Sequence, residues 1–65
     1  MKRYEVLVNK SNPEAIEKVR GFIADLSDMK APEYENNTHI RFECFGDITT
    51  VFTLMALGAG QVIEI

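Results

Sequence analysis

Sixty-five residues carry 46% hydrophobic and 26% charged side chains, the balance of an ordinary folded domain and not of a disordered chain. At this length residues 1–65 make a single domain, and folding hides only about 60% of the surface that the unfolded chain exposes, which argues against a deep pocket. Ten acids against seven bases give a net charge of −3 and a pI near 4.9, unlike the basic surfaces that hold nucleic-acid backbones; one Cys and one His rule out a disulfide and a chelating cluster.

Residues 3–9, Arg3-Tyr4-Glu5-Val6-Leu7-Val8-Asn9, alternate in a way that predicts a strand with Tyr4, Val6 and Val8 on one face. The apolar run is too short for a secretion signal. Ser11-Asn12-Pro13-Glu14 then reads as a helix start: Ser11 or Asn12 can cap, Pro13 suits the first turn, and Glu14 stands three after Ser11 as in a capping box. Ala15, Ile16, Val19, Phe22, Ile23 and Leu26 follow at helical spacing, which predicts an amphipathic helix from Pro13 to Ser27. Pro32 biases Ala31 towards extended geometry.

Glu33-Tyr34-Glu35 and Thr38 to Phe45 read as two strands joined at Asn36-Asn37, where Asn tolerates the positive φ of a tight hairpin turn. Alternation sends Ile40, Phe42 and Cys44 inward and His39, Arg41, Glu43 and Phe45 outward. Gly46-Asp47 starts a second helix with Asp47 as its cap. Ile48, Val51, Phe52, Leu54, Met55 and Leu57 exceed one stripe, which predicts a helix buried deeply against the sheet. Gly58-Ala59-Gly60 stops it, and Gln61 to Ile65 forms a last strand with Ile63 and Ile65 inward, Val62 and Glu64 outward. The longest charge-free stretch, between Asp47 and Glu64, is broken by glycines and threonines and is no membrane span.

The order β-α-β-β-α-β is that of an α+β, ferredoxin-like (split βαβ) fold, a four-stranded antiparallel sheet with both helices on one face. The other face is then bare, and a partner can dock there. Catalytic parts are missing: Cys44 and His39, the obvious nucleophile–base pair, fall five apart on a strand and so on opposite faces. Glu33 and Glu35 share a face about 7 Å apart, but a hard cation or acid–base chemistry needs an enclosing site. No catalytic residue, cofactor or metal is expected. Charge is uneven: residues 1–30 are nearly balanced, while residues 31–65 hold Arg41 against Glu33, Glu35, Glu43, Asp47 and Glu64. Asp25, Asp28, Glu33 and Glu35 thus mark an acidic edge able to attract a basic protein surface, with Glu43 and Asp47 as further contacts.

Two resemblances add to this reading. Tyr4 to Asn9 with the capped helix, and the ending Leu54 to Ile65, resemble ACT-type regulatory modules, which implies small-metabolite binding as an alternative function. By size, acidity and the lack of catalytic parts the chain is similar to small phage-encoded anti-CRISPR inhibitors. That similarity implies a non-enzymatic inhibitor; the lone Cys44 fits a reducing cytoplasm, and a monomer is expected. Its partner would be a basic DNA-binding surface on a Cas subunit of a type I effector complex, with no direct contact to nucleic acid or membrane.

Overall fold

In a computed structural model, described for residues 1–26 and 32–65, the elements run β1 (Lys2–Asn9), α1 (Pro13–Leu26), β2 (Glu33–Glu35), β3 (His39–Gly46), α2 (Ile48–Ala56) and β4 (Gln61–Glu64). The strands form one sheet in the order β2-β3-β1-β4, every neighbouring pair antiparallel. The expected α+β class is therefore present, and the strand order is compatible with ferredoxin-like topology. Ser27 and Asp28 lie outside the described residues.

Period-two alternation places Tyr4, Val6 and Val8 of β1 with Phe42 and Cys44 of β3 on the inner face. There they join Ala15, Ile16, Val19 and Ile23 of α1 and Leu54 of α2 in one core, so both helices lie on the same side of the sheet. Val6, Val8, Val19 and Leu54 have no measurable exposure. At the start of α1 the cap is Asn12, whose Oδ1 accepts from the Ala15 N–H at 3.2 Å. The expected Ser11–Glu14 box does not form. Glu14 instead pairs with Lys18 one turn on at 2.8 Å, an interaction that holds its carboxyl below the usual range.

The hairpin between β2 and β3 also turns by other means than expected. No non-glycine residue among those described has a positive φ. The Asn36 Oδ1 accepts from the backbone N–H of Thr38 and of His39, both at 2.8 Å, while the Asn36 N–H donates to the His39 carbonyl at 3.1 Å. A side-chain oxygen thus takes the place of a turn carbonyl, and the backbone needs no left-handed residue.

At the start of α2, Asp47 is the cap. Its Oδ1 accepts from the Thr50 N–H and the Thr50 Oγ1 accepts from the Asp47 N–H, both at 3.2 Å, a complete capping box. Gly46 permits this: a Cβ there would lie 2.4 to 2.7 Å from the Thr50 side chain. At the far end Gly58 adopts φ +109°. Its N–H donates to the Met55 carbonyl at 3.1 Å and that of Ala59 to the Leu54 carbonyl at 3.0 Å, a Schellman stop.

Two further expectations fail. α2 is not deeply buried: only Thr50 and Leu54 are, while Ile48, Phe52 and Met55 stay 62%, 65% and 55% exposed. A nine-residue helix laid on the sheet by one stripe leaves its remaining apolar residues in water. β4 is turned over: Val62 pairs with the inward Val6, and Ile63 with the outward Glu5. Val62 packs against the core, and Ile63 and Ile65 are exposed. Register with β1 decides the faces, and a one-residue slip exchanges them all.

Candidate functional site

The sheet face away from the helices is built from the odd-numbered residues of β1, β3 and β4 and from Tyr34 of β2. Cross-strand pairing aligns Phe45 with Arg3, Glu43 with Glu5, and Arg41 with Leu7, while Tyr34 stands opposite Arg41 and Ile63 opposite Glu5. The Ile65 N–H donates to the Arg3 carbonyl at 2.9 Å, which extends the row to Phe45, Arg3 and Ile65. Two like charges, Glu5 and Glu43, face each other at the centre, an arrangement that repels unless compensated. Compensation comes along the diagonals: Arg3 bonds Glu43, and Arg41 lies 3.8 Å from Glu5. The Arg41 guanidinium also covers the Tyr34 ring, 4.4 Å from its centroid.

This centre is a charge-neutral lattice of four side chains. Around it sit the apolar groups: Phe45 and Ile65, 61% and 59% exposed, at one end, with Ile63 beside them and Tyr34 at the other end. Glu5, Leu7, Tyr34, Glu35, Asn36 and Arg41 line a shallow hollow of about 380 Å³. Aromatic, aliphatic and Arg side chains over a rigid sheet are the usual materials of a protein contact surface.

The predicted acidic residues do not come together as one patch. Glu33 and Glu35 occupy the edge strand β2 as expected, on the helix side of the sheet. Glu33 receives two hydrogen bonds from Arg20 of α1, from Nε and from Nη2, each 3.0 Å. This bidentate bond raises the Arg20 pKa further above its ordinary value. Glu35 is 3.0 Å from Lys10. Asp25 is exposed in α1, Glu43 belongs to the open-face lattice, and Asp47 is engaged in capping α2. Asp28 lies outside the described residues.

Cys44 and His39 point to opposite faces, as the strand period requires: Cys44 is in the core, and His39 Nδ1 lies 2.8 Å from the Thr38 hydroxyl. Sequence reasoning missed a second apolar surface, the Ile48, Phe52 and Met55 stripe of α2. Spacing of four and three residues was the signal for it, but periodicity does not tell a core stripe from an exposed one. Between α2 and β4 a groove of about 510 Å³ is lined by Lys2, Tyr4, Ile48, Val51, Val62 and Glu64, among others. No protein-family model, curated protein or solved structure matches the chain.

Proposed function

We propose that this chain is a non-enzymatic protein-binding inhibitor that acts by covering a functional surface of its partner. The observation that carries the reading is the open sheet face, where Phe45 and Ile65 flank Arg3 and remain mostly exposed. Desolvating such residues against a partner gives the short-range affinity. The net charge of −3 adds long-range attraction to a basic partner, and Asp25, Glu33 and Glu35 are the residues assigned that role. Because Glu33 and Glu35 already hold Arg20 and Lys10, charge supplies steering in this reading and the apolar face supplies the grip.

In its specific form the proposal is an anti-CRISPR-type inhibitor, acting in the cytoplasm on the DNA-binding surface of a type I effector complex. The test is a competition experiment with a purified type I complex and labelled target DNA. The chain is expected to displace DNA, with loss of at least tenfold in potency for Phe45→Asp, a hot-spot-sized effect. Glu35→Lys is expected to weaken inhibition chiefly at low salt, where screening is least. DNA binding unchanged at saturating chain would overturn the inhibitor assignment.

A further inference from the structure

We propose that two copies of this chain associate across their β4 edges, joining the sheets into one of eight strands and closing the α2 stripes against each other. The proposal stands apart from the inhibitor reading, which uses the open face, and replaces the monomer expected from the sequence.

The two edges of the sheet differ. β2 is three residues long and carries Glu33 and Glu35, a charged short edge that resists pairing. β4 carries Gln61, Val62, Ile63 and Glu64, and its one charge is matched by Lys2 at 3.1 Å. In an antiparallel ladder alternate residues bond the neighbour. The Ile65 N–H donates to Arg3 of β1, so Ile63 and Gln61 share that phase, and the N–H and C=O groups of Val62 and Glu64 point away from β1. A second β4 related by a two-fold axis at Ile63 pairs Val62 of one copy with Glu64 of the other, twice. The edge is complementary to itself.

α2 offers an independent apolar surface on the same side. Its Thr50 packs on Gly46 at the end of β3, whereas Ile48 and Val51 line the groove beside Val62 and Glu64. On a helical wheel of about 100° per residue, Met55 and Ile48 fall on the Val51 flank of Leu54 and Thr50 on the other, while Phe52 stands nearly opposite Leu54. Met55 and Ile48 therefore face the β4 side, with Phe52 at the upper margin of the stripe. A two-fold at Ile63 sets the two α2 helices antiparallel and adjacent, each stripe against the other and over the groove. Charge selects the occupant: Ile48–Ala56 has no charged residue, and the Lys2–Glu64 pair is neutral, so two chains of net charge −3 meet where repulsion is least. A stable interface takes about 800 Å² from each partner, against a total of 4361 Å² here.

Sedimentation equilibrium on the full chain over a concentration series tests this. A mass rising to twice 7.4 kDa is expected, with the dimer dissociation constant weakened about 30-fold or more by Met55→Asp, the loss of a central hot spot. Glu64→Pro removes an N–H that β1 does not use and is expected to weaken association with the fold intact by circular dichroism. Phe45→Asp is expected to leave association unchanged. In a mixed isotope-labelled sample, Ile63 methyls are expected to show contacts between copies. A mass of one chain at the highest soluble concentration, or dimers that survive both Met55→Asp and Glu64→Pro, would overturn the proposal.

Discussion

Cys44 sits on the inner face of β3, and burial pushes its thiol above the ordinary cysteine range. The folded state therefore favours the neutral thiol. Stability from this source is full below the unfolded thiol's pKa and is lost as pH rises through the raised folded value. Alkylation by iodoacetamide near the ordinary thiol pKa is expected to be slow in the native chain and fast after denaturation; equal rates would sink the assignment. The inward position of Cys44 was legible from strand alternation alone, as were Tyr4, Val6, Val8 and Phe42. Less legible were the partners of the acids. Arg20 reaches Glu33 from another element, and nothing local in either segment encodes that bond.

The β2–β3 hairpin depends on a side chain in place of a backbone conformation. Asn36→Ala removes the oxygen that accepts from Thr38 and His39 and is expected to cost about 1 to 2 kcal/mol by urea unfolding, by analogy with a lost helix cap. Asn36→Asp keeps the acceptor and is expected to cost less; a larger loss for Asp than for Ala would contradict this account. The Asn-Asn pair announced the turn correctly because both mechanisms favour the same residue type. For β4 the pattern Gln-Val-Ile-Glu-Ile has apolar residues in both phases, so alternation could not decide which face is inward. Pairing with β1 decided it. α2 lies less deep than its apolar content suggests for a related reason: a count of apolar residues gives the width of a stripe and not what lies against it.

For the whole molecule the core is small, with Val6, Val8, Val19, Ile23, Phe42 and Leu54 its most enclosed members. A chain of this size has about 3 to 10 kcal/mol of stability. Leu54→Ala is expected to cost about 3 kcal/mol, as a cavity with little means to collapse, and to lower the urea midpoint sharply. A shift no larger than that of a surface substitution would mean that α2 does not anchor the core. Fold class and element order followed from period and breakers spread along the chain, each repeated many times. Surface function did not, because it depends on which residues different elements bring side by side. The central place of β1 has one more consequence. Its two neighbours both come from far along the chain, Asn9 meeting His39 and Tyr4 meeting Glu64, so β1 has no partner of its own region to hold it. Such long-range pairing slows folding, and β1 amides should exchange with solvent deuterium only when the entire sheet opens, whereas those of β2 can exchange through local fraying at the edge.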